Sequence, residues 1–120
     1  MNINKNLTID ETFNLAVKNH QENKTDIAQD LYNQVLKIDP NHTDANNNLG
    51  VIFQKLGENE KAKECYEKAI SINPNYVDTH NNLGIILQKL GENQKAKECY
   101  EKVISINPNY SSTYNNLGVI

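Results

Sequence analysis

Few side chains in this 120-residue sequence are equipped for catalysis. Cys65 and Cys99 could form a disulfide or, with His20, His42 and His80, hold a metal. The cysteines take the same place in two copies of a repeated segment. There stacked helices lie roughly 8–10 Å apart, beyond the about 7 Å alpha-carbon limit of a disulfide. The histidines fall in no ligand pattern around the cysteines. No phosphate loop, nucleophile elbow or paired carboxylate in an apolar setting occurs. The expectation is a chain with no enzymatic activity, cofactor or metal site, whose thiols are small half-buried fillers and whose histidines lie at the surface. What recurs is the amide: Asn14, Asn48, Asn82 and Asn116 return at one fixed interval. A primary amide offers two donors and an acceptor, so it can bond both sides of a peptide unit. Such a row suits gripping a backbone rather than transforming a substrate.

The spacing of that row is the period of the whole chain. Asn41–Pro74 and Asn75–Pro108 align without a gap and are identical at 26 of 34 positions. Asn115–Ile120 repeats Asn47–Ile52 verbatim, and Asp39-Pro40 precedes Asn73-Pro74 by one period. A fixed period of this length marks a repeat architecture. The expected units are 9–42, 43–76 and 77–110, with a lead-in at 1–8 and the start of a fourth at 111–120.

Each unit reads as two short helices. Leu49, Ile52, Phe53 and Leu56 follow helical spacing, and Gly57 comes where a helix ends in a left-handed cap. Asn59 is the expected N-cap of the next helix, whose apolar stripe is Ala62, Tyr66, Ala69 and Ile70. Pro74 closes the unit, because proline disfavours helix at the residue before it. In the first unit Thr8 to Glu11 forms a capping box and Asn23 replaces the turn glycine.

These residues resemble the tetratricopeptide repeat. The second unit supplies Leu49, Gly50, Phe53, Ala62, Tyr66 and Pro74 of its signature, and the third Leu83, Gly84, Leu87, Ala96, Tyr100 and Pro108. The first supplies Leu15, Ala16, Ala28, Tyr32 and Pro40; the fourth begins with Tyr114, Leu117 and Gly118. The opening aromatic is absent except at Tyr114, and Asn19 replaces the second aromatic in the first unit. The resemblance implies an all-α fold, a right-handed α-solenoid of stacked antiparallel hairpins with about 3.3 repeats. Its concave groove is lined by each first helix and binds a peptide.

Mapping the family's groove positions gives Asn47 and Asn81 at the fifth place, and Asn14, Asn48, Asn82 and Asn116 at the sixth. Val51 and Ile85 take the ninth, Gln54 and Gln88 the twelfth, and Lys55 and Lys89 the thirteenth. The Asn row is similar to that lining the superhelix of O-linked N-acetylglucosamine transferases. Against this stands a purely structural role, in which the amides support the helix start or face solvent. The clamp that binds chaperone C-terminal carboxylates matches poorly, since its places hold Phe13, Val17, Asn48, Asp78 and Asn82.

The net charge of −3, with alternating signs along the chain, lacks the basic face that nucleic acid requires. No apolar run reaches the roughly 18 residues of a membrane span, and the N-terminus lacks a secretory pattern. The expected partner is a protein or peptide, not nucleic acid or membrane, and the expected compartment is the cytoplasm. The function expected is a protein–protein interaction module that holds an extended or helical segment. The alternative is the substrate-targeting domain of a larger glycosyltransferase- or sulfotransferase-like enzyme. Glu64–Lys68 and Glu98–Lys102 have the spacing of solvent-facing ion pairs. Leu117, Val119 and Ile120 make self-association through an open C-terminal end a further expectation.

Overall fold

The computed structural model describes residues 7–118, so Val119 and Ile120 lie outside the described residues. Among the described residues seven helices follow one another: α1 (Ile9–Gln21), α2 (Thr25–Ile38), α3 (Thr43–Lys55), α4 (Asn59–Ile72), α5 (Val77–Lys89), α6 (Asn93–Ile106) and α7 (Ser111–Gly118). The first helices of successive pairs thus begin one sequence period apart, at Thr43, Val77 and Ser111. Among the described residues no helix is long and apolar enough to cross a membrane.

Local chemistry sets these boundaries. Thr8 Oγ1 accepts from the Glu11 amide at 3.1 Å while Glu11 Oε1 accepts from the Thr8 amide at 3.0 Å, the reciprocal box that starts α1. These bonds favour the ionised Glu11 carboxylate and lower its pKa. Each hairpin turns at a left-handed residue: Asn23 at φ 61°, Gly57 at 77° and Gly91 at 81°. Asparagine is the residue other than glycine that tolerates this region best. The turns are tighter than the sequence pattern indicated, so α4 starts at Asn59 itself. Glu58 is then the N-cap and makes no side-chain capping bond.

Helices pair first within each repeat and then between repeats. Two aliphatic and aromatic clusters form the core. One gathers Ala16, Ala28, Leu31, Tyr32, Val35, Ala45, Leu49 and Ile52. The other gathers Ala62, Tyr66, Leu83, Ile86, Leu87, Ala96 and Tyr100. Tyr32, Tyr66 and Tyr100 are wholly buried at one position per repeat. Their phenols end on the twelfth-position residue of the same repeat, namely His20 Nδ1 (3.1 Å), Gln54 Oε1 (2.6 Å) and Gln88 Oε1 (3.1 Å). Buried tyrosine hydroxyls need such partners.

The histidines, expected at the surface, serve the fold instead. His80 is buried and its Nε2 lies 2.6 Å from the Pro74 carbonyl. His42 Nδ1 accepts from the Ala45 amide at 3.0 Å and caps α3. An imidazole has both an apolar ring to bury and a nitrogen to satisfy a backbone group. The pairs Glu64–Lys68 and Glu98–Lys102 do not close. Ion pairs form instead at helix starts, Lys61–Glu58 (3.6 Å) and Lys95–Glu92 (3.4 Å), and between repeats, Lys63–Glu92 (3.0 Å). Exposed pairs gain too little to hold two flexible side chains in register.

Candidate peptide groove

The first helices of the second and third repeats, α3 and α5, touch directly, and α4 of one repeat packs against α5 of the next. Asn48, Asn82 and Asn116 are half-buried on the first helices and Asn14 is exposed.

The fifth-position amides occupy a different setting. Asn47 and Asn81 keep only 6% and 7% of their surface. Asn47 Oδ1 accepts from Thr79 Oγ1 at 2.6 Å, and Asn81 Oδ1 accepts from Thr113 Oγ1 at 2.8 Å. Both threonines are fully buried and belong to the next repeat. The burial removes these two amides from the open face and makes them rivets between repeats. At the first junction the same two places hold Phe13 and Ala45, an apolar contact in place of a polar one. No single-residue signal in the sequence marks Thr79 or Thr113. Their paired appearance opposite Asn, and Ala45 opposite Phe13, is the signal available.

The sixth-position amides continue this network outward. Asn47 Nδ2 donates to Asn48 Oδ1 at 3.4 Å, and Asn116 Nδ2 donates to Asn81 Oδ1 at 3.3 Å. Val51 and Ile85 are half-buried one turn further on. Gln54 and Gln88 spend their carbonyls on buried tyrosines and retain their NH2 groups. Lys55 Nζ donates to Asn23 Oδ1 of the preceding repeat at 3.2 Å, while Lys89 is exposed.

An acidic row flanks these residues. Asp10, Asp44 and Asp78 are exposed near the helix starts. Tyr76 Oη donates to Asp44 at 2.7 Å and Tyr110 Oη donates to Asp78 at 3.1 Å, each bond tying the last residue of a repeat back to the start of that repeat's first helix. Burial, then the bond to Asp44, pushes the Tyr76 phenol well above its usual range.

The geometry is that of stacked helical hairpins, and the sequence agrees. Profiles described as tetratricopeptide repeat match residues 31–64 and 77–110, and one described as TPR repeat matches residues 52–91. The chain belongs to the tetratricopeptide repeat family. Among solved structures it is similar to MamA, with a TM-score of 0.89 and 26% identity over 93% of this chain. It is similar as well to the Sgt2 TPR domain from Aspergillus fumigatus, with a TM-score of 0.82, 26% identity and coverage of 92% of this chain and 75% of that one. The first TPR of Spaghetti (RPAP3) bound to the HSP90 peptide SRMEEVD shares the fold at 22% identity, with a TM-score of 0.88 and coverage of 92% and 88%. The chain spans 66% of that MamA chain and 61% of another, MamA AMB-1. No functionally curated protein matches it in sequence.

Proposed function

We infer that this chain is a protein-interaction module that holds an extended peptide along its first helices. The observation that carries this reading is the division of labour among the amides. The fifth-position pair is buried and bonded, whereas the sixth-position series stays accessible once per repeat. Asn14, Asn48, Asn82 and Asn116 then act as a ladder that bonds peptide backbone groups. Val51 and Ile85 give apolar contact beside it, and Gln54, Gln88, Lys55 and Lys89 line the far edge.

The fold admits such use, since the RPAP3 domain holds the peptide SRMEEVD. Asp44 and Asp78 stand exposed beside the ladder, so an acidic tail meets like charge. The partner expected is a neutral or basic extended segment. Backbone recognition makes the groove tolerant of side chains, because the bonded groups are common to every residue.

The test begins by selecting binders from a random linear peptide library with the wild-type chain. The selected peptide is then titrated against Asn48→Ala/Asn82→Ala. Two lost bonds at about 0.5–1.5 kcal/mol each predict affinity weaker by about fivefold or more. Unchanged affinity in a variant of unchanged helicity contradicts the ladder.

A further inference from the structure

Between α4 and α6 a cleft of about 300 Å3 opens over α5. Leu83 and Leu87 form its floor, with Cys99 and His80 beside them. Glu67, Lys95, Glu98 and Lys102 form its rim. His80 is already bonded to the Pro74 carbonyl, so it acts as wall. The volume lies at the lower limit of ligand clefts, about 300–1,000 Å3, which suits one side chain better than a cofactor.

The preceding junction shows what such a cleft takes. Five of its eight places hold the same residues one period earlier: Leu49, Cys65, Lys61, Glu64 and Lys68. Asn46 stands in place of His80 in the wall, Asn33 in place of Glu67 on the rim and, at the floor, Phe53 in place of Leu87. The Phe53 ring is half-buried against the first core cluster and carries Lys61 Nζ 5.5 Å from its centroid. A cation over a ring at this distance attracts it. The second junction keeps the ammonium, Lys95, and the neighbouring thiol but lacks the ring. Its Leu87 is nearly fully buried and does not rise into the space.

We propose that this cleft is a second interaction surface, which receives an aromatic side chain of a partner polypeptide in the place that Phe53 fills at the first junction. The ring rests on Leu83 and Leu87 beneath Lys95. The rim offers two ammonium and two carboxylate groups to the residues flanking it, an apolar centre within a polar border as protein interfaces have. This surface shares no residue with the peptide groove.

Cys99 and its counterpart Cys65 provide the readout. Both thiols are free and half-buried, and burial raises both to about 11, so a probe without a ring sets the baseline for their relative reactivity. The probes are Ac-Phe-Gly-Cys-NH2 and Ac-Ala-Gly-Cys-NH2, each activated as its 2-pyridyl disulfide. The protein thiolate attacks the peptide sulfur, forms the mixed disulfide and releases pyridine-2-thione, and peptide mapping assigns the site. The Phe probe is expected to favour Cys99 over Cys65 by at least about fivefold, the discrimination that burying a ring on two leucines beneath an ammonium supplies. The Ala probe is expected to show no such preference. Leu87→Phe should abolish the preference by filling the cleft. Phe53→Leu, a reduction in size that guards against a misfolded Leu87→Phe, should raise labelling of Cys65 by the Phe probe. Equal preference for both probes, or a preference that neither substitution changes, overturns the proposal.

Discussion

The Tyr66 ring lies against Gly50, so close that a Cβ on Gly50 would stand 2.6 Å from Tyr66 Cε1. Gly84 and Tyr100 repeat the arrangement, with a Cβ placed 2.8 Å from Cδ1. Because both rings are fully buried and their hydroxyls are fixed on Gln54 and Gln88, they have no room to withdraw. Gly50→Ala or Gly84→Ala is expected to destabilise the chain by about 1–3 kcal/mol, the usual cost of overpacking. Urea denaturation followed by circular dichroism measures it. A cost below that of Gly57→Ala, where no atom lies within 4 Å and only the positive φ opposes a side chain, would contradict the close approach.

Repeat stacking depends on the polar rivet between Asn47 and Thr79. Thr79→Val keeps the shape and removes the donor, which leaves the buried Asn47 carbonyl unpaired at a cost of about 1–3 kcal/mol. The double substitution Asn47→Phe/Thr79→Ala copies the first junction's Phe13 and Ala45 and should recover most of that loss. Equilibrium unfolding of the two variants decides it. A double variant no more stable than Thr79→Val would show that the junctions are not interchangeable.

Much of this fold was legible in the sequence because the repeat period fixes where Gly50, Tyr66 and Gly57 recur, and each has a single physical task. The turn at Asn23 was legible for the same reason, since asparagine substitutes for glycine at positive φ. The setting of Asn47 and Asn48 was not. Both are asparagines on one helix, and which is buried depends on Thr79, a residue of the next repeat. Composition also misled at His80, whose burial follows from one carbonyl of Pro74 that no pattern announces. The cleft over α5 was hidden because the exchange of Phe53 for Leu87 looks conservative until the space above it is seen.

His20 gives the first repeat a dependence on acid. Burial, then the nearby Lys55 ammonium, lowers the His20 pKa, while its Nδ1 pairs with the Tyr32 hydroxyl. The neutral form is therefore favoured in the fold. The stabilisation is complete above the unfolded value of about 6.5. It declines as the pH falls from there through the lower folded pKa, because the unfolded chain takes up the proton first. His20→Gln supplies the acceptor used by the other repeats and should flatten the stability profile between pH 7 and 5. Thermal midpoints across that range test this; a profile identical to wild type would contradict it.

Cys65 and Cys99, raised to about 11 by burial, should remain reduced in the folded chain. At neutral pH they should react with a soluble disulfide at least about tenfold more slowly than in urea-unfolded chain, since less thiolate is present. Mass spectrometry after mild oxidation should show no intramolecular bridge. A bridged, folded monomer would mean that α4 and α6 approach more closely than described.

The central claim, that the Asn ladder grips peptide backbone, is tested most directly by methylating backbone nitrogens of a peptide selected by the wild-type chain. N-methylation deletes one donor at a time and leaves every side chain in place. The account predicts that methylation at positions spaced along the bound segment weakens binding by about fivefold or more each, the worth of one hydrogen bond of about 1 kcal/mol. It predicts that these losses shrink in Asn48→Ala/Asn82→Ala, and that alanine replacement of the peptide's side chains costs less. Binding that is indifferent to backbone methylation but lost on side-chain replacement would contradict it.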